Sequence, residues 1–94
     1  MDLRWTAEIL KAVSEESRLR IVCILKSCEK CVCELQEAIN APHNLVLHHI
    51  KGLKKLGIIK MRKVNRFTFY SLDRKAWRQF TKNIDDLFRL KDKY

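Results

Sequence analysis

The sequence predicts a mainly helical single domain closed by a small β-hairpin, and three observations carry that expectation. Apolar residues recur at three- and four-residue steps through 3–56 and again over 73–92, as amphipathic helices require. Between 58 and 72 the period shortens to alternation, interrupted once at Asn65-Arg66, as in two strands joined by a hairpin. Only two Gly and one Pro occur, which excludes long loops and glycine-rich phosphate cradles. A chain of 94 residues allows one domain with a modest core, a size at which a partner subunit or ligand often adds stability.

The first helix, about 3–13, follows Ile9, Leu10 and Val13, with Trp5 one turn earlier. Ser14 reads as the N-cap of a second helix, about 15–27, whose first turn carries Glu15 and Glu16. Its apolar residues are Leu19, Ile21, Val22 and Leu25, with Cys23 as a small apolar filler. Residues 27–30 form a break. A short third helix, about 32–39, turns Val32, Leu35, Ala38 and Ile39 inward. Asn40 suits a tight turn because Asn tolerates left-handed backbone angles, and Pro42 suits the start of the next helix. That fourth helix runs to Leu56 and stops at Gly57. Strands over 58–64 and 67–72 follow, then Asp73 caps a last helix, about 73–92. There Trp77, Phe80, Ile84, Leu87 and Phe88 form a stripe too large for so small a domain to cover alone. Together with Trp5 and Ile9 it predicts a two-fold homodimer seam between the first and last helices.

The charge points to the partner. Residues 1–40 sum to −1, residues 41–80 to +9 and residues 81–94 to +1, so the net charge of +9 lies in the middle segment. A basic segment beside a neutral half is the electrostatic footprint of a polyanion site. Short helix, tight turn, longer basic helix and hairpin together make a winged helix-turn-helix (α-α-α-α-β-β-α), with a reading unit at 32–56 and a wing at 58–72. The partner implied is double-stranded operator DNA. His43, Asn44, Leu47 and His48 would reach base edges, with Lys51 one turn on. Lys54 and Lys55 would meet phosphate, and Arg62, Lys63, Asn65 and Arg66 would serve the wing.

Four Cys remain. No stretch has the apolar length of a membrane span, and Asp2, Arg4 and Glu8 break any signal-peptide core. A soluble cytoplasmic protein with no membrane partner is therefore expected, and there Cys are thiols, metal ligands or redox sensors. Cys31 and Cys33 can grip one ion only where the chain is extended or just entering a helix, which the expected start near 32 allows. Cys28 gives Cys-x2-Cys-x-Cys, a donor set suited to a soft ion such as arsenite, cadmium, lead or zinc. The alternatives are no bound metal at all or a thiol-redox response, with Cys28 as one disulfide partner.

The chain resembles the arsenical-resistance and metallothionein-type repressors, the ArsR/SmtB family. The resemblance rests on Val-Ser-Glu-Glu-Ser-Arg-Leu-Arg-Ile (13–21), Cys-Val-Cys-Glu-Leu (31–35), residues 44–57, and Asn65-Arg66 followed by Tyr70. It implies a homodimeric repressor that releases its operator when a metal or another signal binds, with Cys31 and Cys33 matching the family's Cys-x-Cys pair. His49 matches a family His and reads as a helix-packing or phosphate contact. Two departures matter. Leu47 stands where the family commonly has Ser, and no Cys precedes Cys23 to complete a four-thiolate site across subunits. All three His lie on the fourth helix, so the family's other site, Asp and His on the last helix, is absent. Without paired carboxylates in an apolar pocket, a nucleophile-base pair or a phosphate loop, an enzyme is not expected. The competing readings are a winged-helix regulator with no sensor and a protein-interaction module.

Overall fold

The computed structural model describes residues 1–91. In chain order the elements are α1 (Leu3–Val13), α2 (Glu16–Leu25), β1 (Lys30–Cys31), α3 (Val32–Ile39), α4 (His43–Lys55), β2 (Ile59–Val64), β3 (Phe67–Leu72) and α5 (Arg74–Phe88). This is a winged helix-turn-helix fold. The sheet is antiparallel in the order β1-β3-β2, with Lys30 opposite Tyr70 and Ile59 opposite Leu72.

Local chemistry sets most boundaries. Asp2 caps α1 by accepting from Trp5 N, and Asp73 caps α5 by accepting from Ala76 N. Asn40 (φ 52°) and Asn65 (φ 56°) take the left-handed conformation at the α3–α4 turn and the hairpin tip. Gly57 (φ 81°) ends the reading helix, where a Cβ would be strained.

Several expectations are corrected. Residues 30–31 are a strand, because β3 offers them a pairing edge that a two-residue segment cannot advertise alone. Glu15, not Ser14, caps α2: its carboxylate accepts from Ser17 N and Arg18 N, while Ser14 ends α1. α2 stops at Leu25 and α5 at Phe88; position 92, the expected end of the last helix, lies outside the described residues. Leu19, Cys23 and Ala38 are exposed, since the buried side of α2 is set by Ile21, Val22 and Leu25 and that of α3 by Leu35.

The core joins Ile9, Ile21, Leu35, Val46, Ile50, Leu53 and Ile58, drawn from every helix except α5 and from the start of the wing, with Phe80 closing it from α5. Ile9 and Phe80 are thus buried inside the protomer rather than offered to a seam. Trp5 is half-buried and its indole donates to Leu56 O at 2.8 Å, while Trp77 packs on Phe80 with ring centroids 5.0 Å apart. Only Leu87 (43% exposed) and Phe88 (69%) keep large free apolar surface among the expected seam residues, joined by Leu3 on α1; Ile84 is half-buried. One buried polar link ties α1 to α5: Asn83 Nδ2 donates to Thr6 Oγ1 at 2.9 Å, and Asn83 Oδ1 accepts from Gln79. Among the described residues no buried side-chain polar atom lacks a partner, so this link leaves no polar group unsatisfied.

Candidate nucleic-acid interface and thiol site

α4 is divided lengthwise. Val46, His49, Ile50 and Leu53 face the core. Asn44, His48, Lys51 and Lys55 lie opposite and are exposed, and His43, half-buried Leu47 and Lys54 flank them. The seven residues of α4 expected to contact bases or phosphate therefore share the solvent side. Leu45, 41% exposed beside Asn44, escaped the sequence reading because an apolar residue in a helix is assigned to the core by default. His43 Nδ1 meets Gln36 Oε1 at 3.2 Å, which pins the start of α4 to α3.

His49 settles into packing rather than phosphate contact. It is 6% exposed, and its Nδ1 accepts from Arg18 Nε at 3.1 Å. Burial is the largest influence on its titration and holds its pKa below the ordinary 6.5; Glu15, 3.8 Å away, pulls the other way. A ring nitrogen that accepts from a guanidinium is unprotonated, so the contact with Glu15 is not an ion pair at neutral pH. Because the folded pKa lies below the unfolded one, the unfolded chain takes up the proton first as pH falls. This contribution is complete above about pH 6.5 and is lost as acid reaches the lower folded pKa. Urea midpoints should fall between pH 7.5 and 5.5, and His49→Gln should flatten that part of the profile; an unchanged slope in the variant would refute the assignment.

The wing carries Lys63, Asn65 and Arg66 on exposed positions near its tip. Met61 faces α4, its sulfur 3.4 Å from Lys54 Nζ, and strand alternation turns Arg62 to the other side. There Arg62 pairs with Glu29. Its Nε donates to Glu29 Oε2 at 2.9 Å, its Nη2 bonds the other oxygen, and its guanidinium lies 5.6 Å from the Phe69 ring centroid. The bond from Arg62 holds the Glu29 carboxyl below its usual range.

Cys28, Cys31 and Cys33 do not form one cluster among the described residues. Cys31 is the N-cap residue of α3, and its backbone N–H donates to Glu34 Oε1 at 3.1 Å. That bond is the first cause of Glu34's lowered pKa. Cys33 is exposed in the first turn and lines an open groove with Gln36, Asn40 and Pro42. Cys28 lines a different cavity, with Lys26, Lys60 and Trp77. It is also the leading influence that raises the Lys30 ammonium above its ordinary pKa. Among the described residues no three His, Cys, Asp or Glu side chains are grouped to hold a metal, so the expected Cys28–Cys31–Cys33 triad is not assembled. The reason is the unforeseen β1: between 28 and 33 the chain passes from loop through strand into helix, which sends the outer two thiols to different grooves.

A family model described as "Bacterial regulatory protein, arsR family" matches residues 15–61, from the cap of α2 into β2. The chain belongs to the arsR family. It is 38% identical over 68 residues to a cadmium resistance transcriptional regulatory protein CadC homolog of Staphylococcus aureus, covering 71% of this chain and 56% of that protein. It is 34% identical over 82 residues to an HTH-type transcriptional regulator of Methanocaldococcus jannaschii, covering 86% of this chain and 92% of the other. The homodimeric winged helix-turn-helix domain of a possible ArsR-family regulator from Mycobacterium bovis superimposes with a TM-score of 0.74 at 20% identity, over 98% of this chain and 87% of that one. The arsR family and these relatives are transcriptional regulators, not enzymes. No helix among the described residues of this arsR-family chain is long and apolar enough to cross a membrane.

Proposed function

We propose that the protein is a cytoplasmic transcriptional repressor that binds operator DNA as a two-fold homodimer and releases it when a thiophilic metal or metalloid engages Cys31 and Cys33. The observation that carries the DNA reading is the split of α4, with its apolar side locked into the core and Asn44, His48, Lys51 and Lys55 turned out. In a winged helix-turn-helix that helix enters the major groove, where Asn pairs with adenine and Leu47 or Leu45 touches a thymine methyl. Lys54, Lys63 and Arg66 flank it as phosphate contacts. Leu3 on α1 and Leu87 and Phe88 on α5 support the dimer seam.

The donor chemistry at the start of α3 fits a soft ion in part. Two thiols at a helix N-terminus suit cadmium, lead, zinc or arsenite, and a third donor has to come from outside the described residues of this protomer. A bound ion would supply a bond between residues 31 and 33 that the free protein lacks. Because Cys33 lines the same groove as Asn40 and Pro42 of the turn into α4, such a bond acts on the seating of the reading helix. Two ligand sites coupled through one movable element are what regulated release requires.

Absorption titration of the reduced protein with cadmium and then arsenite tests this. One thiolate-to-metal charge-transfer band per protomer is expected, lost in the Cys31→Ser, Cys33→Ser double variant, with DNA affinity falling on metal addition only in the parent. No band, or a band untouched by the double variant, would sink the sensor. The short donor count supports a second reading, a regulator without a metal sensor or one answering to thiol oxidation. In that case duplex affinity stays constant with every metal tried.

A further inference from the structure

Behind the wing lies a cavity of about 530 Å³ that the DNA reading does not use. Its walls are the end of α2, the loop to β1, the side of the hairpin turned away from α4, and the first turns of α5. Lys26, Lys60, Arg74 and Arg78 line it. Among the described residues none of these four has a carboxylate within ion-pair distance. The one acid in the lining, Glu29, is already bound in a two-pronged pair by Arg62. Half-buried Trp77 shares the lining with them and is its accessible apolar surface, since Leu25 and Leu72 are buried in the core.

Four cations held around a cavity repel one another, and a bound anion relieves that repulsion. Unpaired cations beside an aromatic side chain are the makings of a small-molecule site, and the volume falls in the range such sites occupy. The cavity also stands apart from the groove-reading surface. Met61 meets Lys54 of α4, so Lys60 and Arg62, its neighbours along β2, point to the opposite side of the sheet.

We propose that this cavity binds a small aromatic carboxylate, its head among Lys26, Arg74 and Arg78 and its ring against Trp77. The site is independent of the metal and operator readings and stands or falls without them.

The protein has two Trp, so the indole N–H resonances of a ¹⁵N-labelled sample give a reporter and a control. Trp77 lines the cavity, while the Trp5 indole is held on Leu56 O. Titration with 2-naphthoate should move the Trp77 resonance saturably and leave Trp5 in place. The neutral 2-naphthamide should move neither. Arg78→Glu should weaken 2-naphthoate binding tenfold or more, and Lys26→Glu, an exposed substitution on another element, should do the same if the first variant folds poorly. No saturable shift, equal response to the amide, or unchanged affinity in a folded charge-reversal variant would overturn the proposal. So would displacement of 2-naphthoate by duplex DNA, which would assign these cations to the nucleic-acid backbone.

Discussion

Duplex affinity is expected to fall about a thousandfold as monovalent salt rises from about 50 to about 200 mM, the loss that follows release of roughly six counterions. Lys51, Lys54, Lys55, Lys63 and Arg66 are all exposed on α4 or the wing, and none is paired with an acid among the described residues. Two protomers double whatever subset touches phosphate. Replacing one of them by Ala should lower the slope of log affinity against log salt by about two in a dimer and weaken all sequences alike. Asn44→Ala should behave differently. It should leave the slope alone and relax preference at one base pair, at a cost of roughly 1–3 kcal/mol against the best site. Fluorescence anisotropy over a salt series separates the two classes. A flat salt profile would remove DNA as the partner and favour a protein-interaction module.

Leu53→Ala should cost about 3 kcal/mol of folding stability. Leu53 is 0% exposed and forms the inner side of α4 with Val46 and Ile50, so its removal leaves a cavity that surrounding helices cannot readily fill. In a domain of this size the loss corresponds to a fall in Tm of at least about 12 °C. Urea unfolding at fixed protein concentration checks it, since dimer stability varies with concentration. A loss below about 1 kcal/mol would mean that α4 is not seated as described.

The parts of the fold legible in the sequence are those fixed by local chemistry. Asn40, Gly57 and Asn65 each mark a left-handed position, and the shift from helical to alternating period marks the wing. The solvent side of α4 was legible for the same reason, because its polar and apolar residues segregate around one helix. What escaped depends on distant partners. β1 exists because Tyr70 and Phe69 pair with it. Arg62 pairs with Glu29, 33 residues earlier, which no local pattern reveals. The aromatic stripe of α5 is continuous in the sequence, yet an amphipathic pattern cannot say whether a residue such as Phe80 meets its own core or a second copy. The thiol spacing likewise counted residues along the chain without the strand that separates Cys28 from Cys33.

The hydrogen bond between Asn83 and Thr6 spans 77 positions. A ribosome adding about 5–20 residues per second makes Thr6 roughly 4–15 s before Asn83 exists to meet it. During that interval the apolar side of α1, Ile9 included, has no α5 to lie against, and the positively charged α4 is made partway through it. The nascent protein is therefore expected to be most exposed to aggregation and to chaperone capture until α5 has emerged to close the two-helix base.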